Sequence, residues 1–213
     1  MAFAKIQHEF GLRGSYYFRM VSGSYDEAII EEMKSLGHEI GYHYEDMDFA
    51  KKEVGGSPQE EDLYDKAFEI FVKNLETIKK HYPVRTICMH GSPLSKFDNK
   101  ALWKKYSYKS LGLIGEPYFD LNFNKIFYIT DTGRRWDGDK VSVRDKVNSN
   151  AFSNYRFHST DEIIAAIKAN QFPDQVMMTF HPQRWNDSIF PWTKEFILQN
   201  TKNIIKGILL NRK

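Results

Sequence analysis

Three histidines in this chain stand where chemistry can be done. His43 closes the strand-like run HEIGYH, and Tyr44, Glu45, Asp46 and Asp48 follow it at once. His90 closes RTICMH, and His181 closes QVMMTFH. Imidazole mixed with carboxylate suits a hard or borderline dication, zinc being the usual case. His43 and Asp46 are the candidate metal ligands on that ground. A strand-end imidazole also transfers protons near neutral pH, which makes His181 a candidate general acid or base. Asp131 ends the run KIFYITD and is the candidate catalytic base. His90 precedes Gly91 and Ser92, where a glycine lets backbone amides approach a ligand. Its own role is ligand, orienting group or loop geometry. Arg134 or Arg135 can clasp an acidic substrate group, and Trp136 and Trp185 can stack on a sugar ring. A solvated arginine pair and ordinary loop packing are the competing readings.

For these groups to meet, the strands that carry them must run parallel, because parallel strands end at one face. The spacing supports that order. A helix is expected near the start, where Phe3, Ile6 and Phe10 share a face. A strand follows over residues 14–20. Ser24 with Glu27 forms a capping box before a helix over 27–36. The HEIGYH strand leads into a loop over 44–56. Ser57, Pro58 and Glu60 open a helix that runs to about Tyr82. Strands are expected at RTICMH, at 111–116 and at 125–131. A polar stretch spans 132–158, Ser159 with Glu162 forms another capping box, and a last helix covers 191–210. The β-α alternation predicts an α/β chain with a mainly parallel sheet, a single domain over 1–213.

Composition narrows the classes. With 213 residues, 41% of them hydrophobic and 27% charged, the chain can bury a full core. A net charge of +2 with no basic block argues against nucleic acid. No apolar run reaches the roughly 20 residues of a membrane span. No leader is apparent, which predicts a cytoplasmic protein. The one cysteine, Cys88, sits in an apolar run and reads as packing. No glycine-rich phosphate loop follows any strand.

Two segments carry a resemblance. LGHEIGYHYED resembles the second motif of NodB-type polysaccharide deacetylases, and TFHPQRW resembles their last motif. SYYFR, GHEIGYHYED, MHGSP, DTGR and FHPQRW, in this order, resemble an uncharacterised bacterial branch of that superfamily. The resemblance implies a deformed (β/α)7-type barrel and a metal-dependent hydrolase that removes acyl groups, acetyl above all, from carbohydrate. It implies a divalent metal such as zinc, His43 as first metal ligand and His181 as acid toward the leaving group. MHGSP takes the place of the motif whose backbone helps form the oxyanion hole.

Two departures accompany it. Met47 stands where the superfamily has a second histidine, so Asp46 or Glu45 would replace that ligand. The aspartate motif of the first strand does not occur, so the barrel is expected to be incomplete at its N-terminus. An open sheet edge there predicts self-association. The alternative is a catalytically inactive carbohydrate-binding or structural descendant.

Overall fold

The computed structural model describes residues 1–56, 59–91, 95, 97–137, 147–185 and 188–210. Its residues gather into two compact units, Met1–Asp120 and Leu121–Lys213.

The first unit holds strands β1 (Ser15–Phe18), β2 (Glu39–Tyr44) and β3 (Ile87–Met89). They form one parallel sheet in the order β1-β2-β3, with Ser15 opposite Glu39 and Tyr44 opposite Met89. Around them lie α1 (Ala2–Glu9), α2 (Glu27–Ser35), α3 (Asp46–Val54), the long α4 (Glu60–Lys79) and the short α5 (Pro117–Asp120). Side chains on β2 alternate between faces, as a pleated strand requires. Ile40, Tyr42 and Tyr44 are fully buried, with Tyr42 and Tyr44 against Phe71 of α4. Glu39, Gly41 and His43 take the other face. Each large apolar side chain buried this way contributes roughly 1.5–3 kcal/mol. This face of the sheet, packed on α4 through Phe71, Leu75 and Ile78, is the main core.

The second unit pairs β4 (Phe127–Thr130) with β5 (Val176–Thr179) in parallel, Thr130 opposite Thr179. α6 (Thr160–Lys168) and α7 (Ile189–Leu210) complete it. A small aromatic core forms from Phe127, Ile129, Trp136, Phe157 and Ile163.

The expected deformed (β/α)7 barrel does not form. Among the described residues there are two parallel sheets, of three and two strands, and no closed barrel. Residues 111–116 show one reason. The segment contributes a single bridge, Thr86 to Gly115, in place of a strand. Gly112 turns the chain at φ +76°, and the buried Glu116 carboxylate accepts the Met89 N–H at 3.1 Å. A side chain thus takes a donor on β3 that a longer strand's carbonyl would occupy.

Other boundaries follow local chemistry. The loop expected over 44–56 is mostly α3, with Asp46 and Asp48 in the first turn, where acidic groups favour a helix N-terminus. Asp26, and not Ser24, caps α2 by accepting from the Ala28 and Ile29 amides. Ser159 caps α6 as expected, and Glu162 answers by accepting the His158 amide. Ser57 and Pro58 lie outside the described residues. No described helix is long and apolar enough to cross a membrane.

Gly41 shows how tightly the polar face of the sheet is built. The Tyr17 ring crosses over it, and its hydroxyl bonds Thr86 Oγ1 at 3.1 Å. A Cβ at position 41 would lie 2.4 Å from that ring and 2.8 Å from the Thr86 carbonyl oxygen. Gly41→Ala is therefore expected to lower unfolding free energy by about 1–3 kcal/mol in urea denaturation. An unchanged midpoint would show that Tyr17 swings away freely.

Candidate functional site

In each unit a cluster of ionisable groups lies just past the carboxyl ends of the strands. In the first unit the residues that follow β1, β2 and β3 are Arg19, Glu45 and His90. Parallel register brings the ends of β2 and β3 level, Tyr44 opposite Met89, while β1 ends two residues earlier, Phe18 opposite Tyr42. Arg19 Nε and Nη2 donate to the two Glu45 oxygens, each at 2.8 Å, a bidentate clasp. His90 Nε2 faces the same carboxylate at 3.9 Å. Its Nδ1 meets His43 Nε2 at 3.2 Å, and His43 Nδ1 lies 2.9 Å from the Cys88 carbonyl oxygen. A carbonyl only accepts, so His43 carries its proton on Nδ1 and presents the Nε2 lone pair in its neutral form. Burial pushes the Glu45 carboxyl up, Arg19 opposes it, and the net direction is upward.

Asn99 fixes the backbone behind His90. This buried amide accepts the Met47 N–H at 3.1 Å and donates to Asp48 Oδ2 and the His90 carbonyl, at 3.1 and 3.2 Å. The start of α3 and the end of β3 are thereby pinned together. Gly91 follows, partly exposed; Ser92 lies outside the described residues.

Asp46 does not join His43. It is fully buried, and its Oδ1 accepts from Tyr42 Oη at 2.7 Å and from Asn74 Nδ2 at 2.9 Å. Tyr42 and His43 are neighbours on β2 and point to opposite faces, so Asp46 belongs to the helix-packed side. Burial is the main cause that lifts its carboxyl to about 7, against the Tyr42 and Asn74 bonds. Its Oδ2 has no hydrogen-bond partner among the described residues, which suits a protonated acid. The expected metal pair of His43 with Asp46 therefore does not fit. Among the described residues no group of three or more His, Cys, Asp or Glu side chains is gathered to hold a metal. What does converge is the pair of nitrogens on His43 and His90.

In the second unit Asp131 follows β4 directly, and His181 follows β5 by one residue after Phe180. His181 Nδ1 lies 2.5 Å from Asp131 Oδ1, and its amide donates to Oδ2 at 3.0 Å. Arg184 Nη1 donates to Oδ1 at 2.7 Å and to the Asp131 carbonyl. Trp185 Nε1 donates to Oδ2 at 3.0 Å. Arg184 Nη1 also lies 2.9 Å from His181 Nδ1. Two lone pairs would repel at 2.5 Å, so Nδ1 carries a proton toward Asp131, and the arginine serves the carboxylate. Burial works against the Asp131 charge, but the His181 bond, the His181 and Arg184 charges and the His181 amide outweigh it. The carboxyl is held below its ordinary range. Both its oxygens are committed to donors, so Asp131 orients His181 and does not act as the expected base. The imidazole keeps Nε2 for proton exchange.

The remaining candidates divide. Trp185 is 40% exposed beside His181 and can face a ligand. Trp136 cannot: it is buried in the aromatic core, with Nε1 donating to Thr160 Oγ1 at 3.0 Å. Arg134 pairs with Glu195 and lies over the Trp192 and Phe196 rings, at 4.7 and 5.2 Å. It lines a cleft of about 580 Å³ with Gly133, Arg135, Phe196, Asn200, Asn203 and Ile204. That cleft does not include His181, Asp131 or Trp185 among its lining residues. Arg135 pairs with Asp137 at 2.5 Å. Arg19, Asn99 and Arg184 were not among the sequence candidates. Arg19 and Arg184 leave a faint signal, a charge at or just after a strand end, whereas Asn99 leaves none.

No protein-family model, curated protein or solved structure matches the chain.

Protonation makes the Asp46 network testable. An acid whose folded pKa is raised contributes stability at low pH that is lost as pH rises toward that value. For Asp46 the window runs from about pH 4, the ordinary aspartate value, to about 7. In Asp46→Asn, unfolding free energy should fall less across that window than in the parent, by urea denaturation at each pH. Parallel curves would mean that Asp46 is charged and unperturbed.

Proposed function

We propose that the chain is a carbohydrate deacylase of the NodB-type polysaccharide deacetylase kind, acting in the cytoplasm, with His181 as its general acid. The observation that carries this reading is the 2.5 Å pairing of His181 Nδ1 with Asp131, which leaves Nε2 at the strand-end face. Asp131 fixes the tautomer and stabilises the imidazolium; Arg184 and Trp185 hold Asp131 in place. Protonated Nε2 delivers its proton to the leaving nitrogen or oxygen as the acyl group departs. Trp185 offers a partly exposed aromatic plane to a sugar ring beside that nitrogen.

Acetate release from acetylated sugars, with divalent metal supplied, tests the reading. His181→Ala should lower kcat by about 100- to 10,000-fold with little change in KM. Asp131→Asn should lower it comparably, because the amide disturbs the tautomer. Turnover that survives both changes would reject His181 as the acid.

A second reading, a carbohydrate-binding descendant without turnover, draws on two observations. Asp46 is withdrawn from His43, and the cleft beside α7 presents the Phe196 ring with the Asn200 and Asn203 amides. Aromatic planes and side-chain amides suit sugar faces and hydroxyls. Calorimetry with acetylated oligosaccharides separates the two readings. Binding that chelator leaves unchanged and Phe196→Ala weakens, with no acetate released, favours the second.

A further inference from the structure

Helix α7 turns a polar side inward and its apolar side out, the reverse of the usual amphipathic arrangement. Residues four apart share one face of a helix, and Glu195, Gln199 and Asn203 hold that spacing. Glu195 pairs with Arg134 and lies 3.8 Å from Arg184 Nε. Gln199, only 7% exposed, donates to Asn203 Oδ1 at 2.8 Å, and Asn203 Nδ2 donates to the Gly133 carbonyl at 3.0 Å. These three residues fasten α7 to its own unit. Ile189, Phe190, Ile197, Leu198 and Ile204 are instead between 50% and 83% exposed. Phe190, Ile197 and Ile204 recur two turns apart, so they form one stripe along the outer side.

Polar residues beside the stripe are satisfied by the helix itself. The Thr193 and Thr201 hydroxyls donate to the Ile189 and Ile197 carbonyls at 2.7 and 2.9 Å, and Asn200 Nδ2 donates to the Phe196 carbonyl at 2.9 Å. A polar group bonded in this way enters an apolar medium at a lower cost than a free one. Charge selects the medium. α7 carries Lys194, Lys202 and Lys206 and a single acid, Glu195, which Arg134 holds on the inner side. A second copy laid along the stripe would set one basic helix against another with no outward acid on either. An anionic lipid surface meets the same helix with opposite charge. No described helix is apolar enough to cross a bilayer, but an aromatic and aliphatic stripe with lysines on its helix suits a position in the plane of the interface.

We propose that α7 lies along an anionic lipid surface, with Phe190, Ile197 and Ile204 buried at the boundary of headgroup and acyl chain and Lys194 meeting the lipid phosphates. The proposal goes beyond the deacylase reading and does not depend on it.

The test titrates the full chain with vesicles of phosphatidylcholine alone and of phosphatidylcholine mixed with phosphatidylglycerol, and reads bound protein by flotation. The unmodified chain should bind the anionic vesicles about tenfold or more tightly than the neutral ones, and added salt should weaken that binding. This comparison stands whatever the variants do. Phe190→Ser combined with Ile197→Ser should lower partitioning by about tenfold or more. Lys194→Glu should lower it by about fivefold or more. Ile167→Ser, at an exposed isoleucine on α6, should leave it unchanged. Equal binding to both kinds of vesicle overturns the proposal, as does no binding to either, or anionic binding that the double variant leaves intact. A dimer seen by sedimentation without lipid and abolished by the double variant would assign the face to a second copy, and overturns the proposal too.

Discussion

Parallel strand pairing is the constraint on which both clusters depend. In a parallel pair the strands share direction, so the residues just past their carboxyl ends collect at one edge. In the first unit that edge receives Arg19, Glu45 and His90 from three strands far apart in sequence. In the second it receives Asp131 from β4 and His181 from β5. The register makes these groups neighbours, and the hydrogen bonds then choose their roles. A bidentate arginine holds Glu45, and four side-chain and backbone donors hold Asp131.

Strand alternation is the second constraint, and it divides a single motif between two faces. In HEIGYHYED, Tyr42 and His43 are adjacent and point in opposite directions. Asp46 follows Tyr42 into the helix-packed side, where Asn74 of α4 completes a buried network. Removing a carboxylate from water is unfavourable unless it is paired or protonated, and this one has no cation beside it in its hydrogen-bond set. Its raised pKa follows from that environment. Asp131 is buried nearly as deeply and goes the other way, because His181 and Arg184 surround it with positive charge.

Much of the first-order organisation is legible in the residues. The runs ending at His43, His90 and His181 form strands, the helix over 27–36 is present, and Ser159 with Glu162 caps α6. Less legible is any feature in which a distant side chain decides. The segment 111–116 has strand-like composition, yet Glu116 and Gly112 turn it into a bridge and a bend. Residues 44–56 lack a strong apolar period, yet Met47 and Ala50 find a core against α4 and form a helix. Trp136 follows two arginines in a polar stretch, and only the fold shows that it is buried against Phe180.

The sequence by itself determined which residues stand at strand ends, because apolar runs and turn residues are local signals. It also determined that imidazole and carboxylate would be concentrated there. Tertiary structure alone decided which of them meet. Whether a carboxylate faces His43 or Tyr42 depends on the side-chain direction set by pleat and helix start, and no composition reports that. Whether Asp131 is a base or an orienting group depends on how many donors reach it from residues about 50 positions away. Neither sequence spacing nor propensity encodes those distances; packing does.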